Sequence, residues 1–80
     1  MDNMKEIINL LLQLEQEITI PKNIRIKIKG TMDLLHENLD LAIKIDKSLQ
    51  ELDEIAEDPN VPSYARTQIW NVMSLLESRK

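Results

Sequence analysis

Two stretches of this chain match each other at an offset of 41 residues, and this correspondence limits the folds open to it more than any other feature. Ile20-Pro21 falls on Val61-Pro62, Ile24 on Ala65, Arg25 on Arg66, Ile28 on Ile69, Met32 on Met73 and Leu34-Leu35 on Leu75-Leu76. Six of these pairs are identities. A period of this length is that of helix-pair repeats, in which each unit leaves an apolar face for its neighbour to cover. The 80 residues hold two such units and make a single helical domain, 1–80.

Apolar spacing places four helices. The first covers roughly residues 3–17, with Met4, Ile7, Leu11, Leu14 and Ile18 on one stripe. Asn3 and Glu6 have capping-box spacing. The second starts at Pro21, whose fixed φ suits the first helical position, and runs to about His36 with Ile24, Ile28, Met32 and Leu35 inward. Asn38 can cap the third, which runs to about Glu57 through Leu41, Ile45, Leu49, Leu52 and Ala56. Asp58-Pro59-Asn60 is a turn signal. The fourth runs from Pro62 to about Ser78 and buries Ala65, Ile69, Val72 and Leu76. The segment Ile24-Arg25-Ile26-Lys27-Ile28-Lys29 alternates with period two and, taken alone, reads as a strand. Its counterpart, Ala65 to Trp70, does not alternate, and a lone strand has no hydrogen-bonding partner. Helix is therefore expected, with Ile26 off the main stripe.

Composition narrows the functions. With no cysteine, disulfides and thiolate metal sites are excluded. The N-terminal segment has no basic region and its apolar run is broken by Asn9 and Gln13, so it reads as neither signal peptide nor membrane span. A cytoplasmic location is expected by default. The net charge of −4 is shared evenly between the halves. A chain with no basic excess is a poor candidate for autonomous binding of nucleic acid, where neutralised phosphates supply most of the affinity.

Leu52-Asp53-Glu54-Ile55-Ala56-Glu57-Asp58-Pro59-Asn60-Val61-Pro62, continuing through Arg66-Thr67 and Ile69-Trp70, closely resembles the signature of uncharacterised protein family 0147, a family of short archaeal proteins. Ile20-Pro21-Lys22-Asn23-Ile24-Arg25 matches its other recurring block. The resemblance covers nearly the whole chain. It implies an archaeal source and a four-helix domain; it implies no activity and hands over no functional residues. A weaker similarity is to HEAT repeats, through Asp58-Pro59, Ala65-Arg66 and the spaced apolar residues that follow. Two units fall short of the roughly three a solenoid needs. The expected fold class is all-α, a four-helix bundle of two tandem hairpins that close on each other or dimerise.

Candidate sites are few. His36 is the only histidine, and Asp33 shares its helix face. Two potential ligands do not make a zinc site, so His36 reads as a residue of a helix C-terminus. Glu51, Asp53, Glu54, Glu57 and Asp58 crowd the end of the third helix, against its macrodipole. Structural pairing with Arg66 or with the basic helix is the preferred reading; a surface for a basic partner and a magnesium or calcium site follow. Arg25 and Arg66 occupy matching positions one turn into their helices, and a carboxylate partner is expected, Asp58 for Arg66. Lys22, Arg25, Lys27 and Lys29 give the second helix a local charge of +4, with Lys22, Arg25 and Lys29 on one face. A solvated face is preferred there over an RNA or phosphate contact, since no aromatic residue is interleaved for stacking; a third reading sets this basic helix against the acidic end of the third helix across a subunit interface. Trp70 falls on Lys29 and reads either as the edge of a wide apolar stripe or as an interface anchor.

No catalytic constellation, metal site or cofactor motif is found. The functional expectation is a non-enzymatic protein–protein interaction or scaffold module, with pairing of the chain with itself as a homodimer among its forms. The alternative is an accessory protein touching RNA or another polyanion through the second helix; a small metal-dependent enzyme is more remote.

Overall fold

The computed structural model describes residues 3–79, and of Asn3 the backbone only. Four helices follow in order: α1 (Asn3–Glu15), α2 (Lys22–Leu35), α3 (Leu41–Glu57) and α4 (Ser63–Glu77). Each packs on two neighbours in a closed cycle, α1 on α2, α2 on α3, α3 on α4 and α4 on α1; among the described residues the backbones of the diagonal pairs do not approach closely. The connections at 16–21, 36–40 and 58–62 are short, so consecutive helices run antiparallel. The body measures 32 × 21 × 20 Å with a radius of gyration of 11.6 Å, the value of about 11.6 Å expected for a close-packed chain of this length. The two hairpins therefore close on one core rather than stack as an open solenoid.

Periodicity accounts for that core. Ile24, Ile28, Met32 and Leu35 of α2 and Ala65, Ile69, Val72 and Leu76 of α4 are all buried. Ile26, between two fully buried isoleucines, is 61% exposed. On a strand all three would share a face, so helical pitch alone separates them. Ile7, Leu11 and Leu14 of α1 and Ile45, Leu52, Ile55 and Ala56 of α3 complete one continuous cluster with Ile20 and Val61 from the connections.

Several boundaries differ from the sequence reading. Pro21 and Pro62 precede α2 and α4 instead of opening them, with ψ of 144° and 150°. Their carbonyls accept the first helical bonds, from Ile24 and Arg25 and from Arg66. Asp40, not Asn38, precedes α3. Asn3's side chain lies outside the described residues, so the capping box does too. Because α1 ends at Glu15, Ile18 sits in the connection and is 83% exposed, while Ile20 fills the core position. Leu41, the first residue of α3, is 39% exposed.

Ser48 and Gly30 carry stability predictions. Ser48 is fully buried and its Oγ has no hydrogen-bond partner. Thr31, also fully buried, donates from Oγ1 to the Lys27 carbonyl at 3.2 Å. Ser48→Ala removes an unsatisfied hydroxyl and is expected to raise the unfolding free energy by about 1 kcal/mol; a loss of stability in urea denaturation would contradict this assignment. A Cβ built on Gly30, midway along α2, meets nothing within 4 Å. Gly30→Ala is expected to stabilise by roughly 0.5–1 kcal/mol through helix propensity alone, read from the same denaturation curves.

Candidate interaction surface

The arginines expected to pair with carboxylates instead hold the turns. Arg66 donates from Nε to the Ala56 carbonyl at 2.7 Å and from Nη2 to the Asp58 and Val61 carbonyls at 3.1 and 3.3 Å. The bond to Asp58 is thus to its main chain and replaces the expected ion pair. The Asp58 carboxylate accepts the Asn60 N–H at 2.8 Å. Physically, the end of α3 presents carbonyls with no helical partner, and a guanidinium has five N–H groups in a planar fork. The charge of Arg66 opposes the dipole of α4 but lies over the C-terminus of α3, where a cation is favoured.

The first hairpin makes matching bonds. Arg25 donates from Nε to the Ile20 carbonyl at 3.0 Å, and Arg66 reaches the matching Val61 carbonyl from Nη2 at 3.3 Å. The Ile20 and Val61 amides donate to the carbonyls of Glu17 and Asp58, each at 3.1 Å. The Glu17 carboxylate accepts the Thr19 N–H at 3.3 Å, as that of Asp58 accepts Asn60. Arg25 and Asp58 are accordingly parts of the fold before they are parts of any site. Thr19 Oγ1 also meets the Tyr64 hydroxyl, tying the first turn to α4.

What remains of the candidate residues lies on the outside. Lys22, Arg25 and Lys29 line a shallow depression on the α1/α2 side, together with Glu15 and the exposed Ile26. Lys29 pairs with Asp33 at 3.4 Å, one turn on, with both side chains more than half exposed; such a pair is worth little and is easily exchanged. On the other side of α2, Glu51 and Glu54 line a depression with Leu34, Lys47 and Gln50. Glu57 is exposed at the end of α3. The basic and acidic groups named from the sequence therefore flank the same helix. Trp70 does not join them: it is 55% exposed on α4, the helix diagonally opposite α2.

The other candidates take structural places. His36 caps α2 at its C-terminus, its Nδ1–H donating to the Met32 carbonyl at 2.9 Å, while Asp33 turns to Lys29. Among the described residues, no three His, Cys, Asp or Glu side chains gather as metal ligands would, and no helix is long and apolar enough to cross a membrane. A third depression, between α1 and α4, is lined by Leu10, Leu14, Tyr64 and Gln68 with Gln13 and Glu17. Sequence reasoning missed this place of Tyr64; the pairing of Thr19 with a residue 45 positions away leaves no local signal.

The fold and surface define a small antiparallel four-helix bundle with its polar chemistry on the outside and two arginine-pinned turns. The chain belongs to the family described as "Uncharacterised protein family (UPF0147)", whose profile matches residues 1–78. Among archaeal relatives, a UPF0147 protein of Thermoplasma acidophilum is 40% identical over 74 residues, covering 91% of this chain and 84% of that protein. One from Methanosarcina mazei is 38% identical over 78 residues, with 91% and 84% covered. Two crystal structures share the fold. That of the unknown-function protein MMP1188 superposes with a TM-score of 0.93 at 38% identity, over 99% of this chain and 91% of the other. That of a Thermoplasma acidophilum member gives 0.93 at 37% identity, over 98% and 93%.

Proposed function

We propose that this chain is a non-enzymatic protein-interaction module whose contact surface is the outside of α2 with its flanks on α1 and α3. The observation that carries this reading is the exposed Ile26, set among Lys22, Arg25 and Lys29 on one side of α2, with Glu51 and Glu54 beyond its other side. An apolar residue ringed by charge suits a contact whose centre is desolvated and whose rim sets the register. A cytoplasmic setting goes with it, since a chain without cysteine needs no oxidising compartment.

The clustering of three cations in one depression favours a second reading, contact with a polyanion. Three features weigh against it: the net charge of −4, the Asp33 carboxylate on Lys29 and the engagement of Arg25 with the Ile20 carbonyl. Affinity capture from a native cell extract, with and without nuclease, separates the two. The expected result is a protein retained after nuclease treatment and lost when the bait carries Ile26→Glu. Retention that depends on nucleic acid, or that is indifferent to Ile26→Glu, would contradict the proposal. On a heparin column the chain is expected to elute below about 0.15 M salt, a point at which long-range attraction between exposed charges is already screened beyond about 8 Å.

A further inference from the structure

We infer that the partner met by this surface is a second copy of the chain, docked with its acidic α2/α3 side on the basic α1/α2 side of the first. The inference rests on the interaction-module reading and names its partner.

The two depressions complement each other. One holds Lys22, Arg25 and Lys29 around Ile26, with Glu15 in its lining and Asp33 paired to Lys29 beside it. The other holds Glu51 and Glu54 near Leu34, with a single base, Lys47. Each thus offers one apolar residue among charges that are mainly of one sign, and the signs are opposite. Levels along the bundle also agree. The Lys44 Nζ donates to the Leu35 carbonyl, which sets the start of α3 beside the end of α2. Running antiparallel, the C-terminal half of α3 then lies level with the N-terminal half of α2. Because the two sides adjoin along α2, a copy turned about the bundle axis, and not merely displaced, brings its acidic side onto the basic one. Gly30 lies exposed on α2 with open space at its Cβ position, so no side chain stands over that part of the helix.

The arrangement is heterologous, because the surface used on one copy differs from that used on the next. Its repetition builds rings or filaments and does not stop at a symmetric pair. A side of a 32 × 20 Å body offers roughly 600 Å² per copy, below the ~800 Å² per partner of a standard stable complex. The contact is therefore weak, in a range where concentration controls it, and it weakens further as salt rises.

Sedimentation equilibrium of the intact chain and two charge-reversed variants tests this. Lys22→Glu/Lys29→Glu reverses the basic side, and Glu51→Lys/Glu54→Lys the acidic side. All four positions are exposed, so circular dichroism should show both variants folded as the wild type is. The wild type, 9.3 kDa as a monomer, is expected to rise in average mass past that of a dimer by about 1 mM, a concentration suited to weak affinities. Each variant alone should remain monomeric, and an equimolar mixture of the two should recover association, since every contact between unlike variants again opposes acid to base. A wild type that stays monomeric would overturn the second copy as partner, and one that stops at a dimer, or a mixture no heavier than its components, would overturn the docking of acidic side on basic side. The extract capture and its Ile26→Glu control read the broader module proposal separately.

Discussion

Arg66→Ala is expected to lower the unfolding free energy by about 3 kcal/mol, the largest effect of any polar substitution in the molecule. One guanidinium donates to three main-chain carbonyls, at Ala56, Asp58 and Val61. A hydrogen bond from a charged donor contributes about 1.5–3 kcal/mol where both groups are buried. Arg66 is half-buried, so solvent screening brings the sum below the roughly 4.5 kcal/mol minimum of three fully buried bonds. Arg25 makes one equivalent bond, to Ile20, so Arg25→Ala should cost about 1 kcal/mol. Arg66→Lys should recover less than half of the loss, because an ammonium is a point donor and does not span the fork. Urea denaturation of the three variants decides the matter. Equal losses for Arg25→Ala and Arg66→Ala, or full rescue by lysine, would show that charge alone, and not the bonds to the turn, is what the site supplies.

Leu52→Ala should cost about 2–5 kcal/mol, the range for emptying a fully buried leucine site. Leu52 has no exposed surface and sits on α3 facing the shared core. A domain of this size has a total stability of about 4–12 kcal/mol, so the variant loses a large share of it. At about 4–8 °C per kcal/mol, its melting temperature falls by at least about 8 °C. Leu41→Ala, in the same helix, is the control: Leu41 is 39% exposed, and its loss should stay below about 1 kcal/mol. Comparable melting shifts for the two would mean that the apolar stripe of α3 faces elsewhere.

These residues show what could and could not be read from the sequence. The stripes of α2 and α4 were legible because three- and four-residue spacing admits one helical face, and the same spacing set Ile26 apart despite its β-favouring neighbourhood. The family was legible from the run around Asp58-Pro59-Asn60 and from its counterpart at Ile20-Pro21. The positions of Arg25 and Arg66 were legible from their match. Their acceptors were not, because a carbonyl belongs to every residue and leaves no mark on the sequence, whereas Asp58 advertised a carboxylate. Ile18 extended the α1 stripe by simple spacing, but Pro21 requires extended backbone before it and so favours ending the helix early. A signal was available there: at the offset of 41, Ile18 falls on Pro59, while Ile20 falls on Val61. Ser48 falls on Ile7 by the same rule, which marks its place in the core while its hydroxyl conceals it. The candidate surface was half legible. The basic and acidic runs were found, and contact between them across subunits was one reading, but only the packing of α2 on α3 shows that they flank one helix.

Amide NMR spectra of the isotopically labelled chain, recorded from about 10 µM to 1 mM, test the α2 surface most directly. Concentration-dependent shifts should fall along α2 from Lys22 to Leu34, on the adjoining side of α1 near Glu15, and on α3 from Lys47 to Glu57, and should fade with added salt. Shifts confined to the α1/α4 groove around Tyr64, or centred on Trp70, would place contact on the opposite side of the bundle and contradict the assignment.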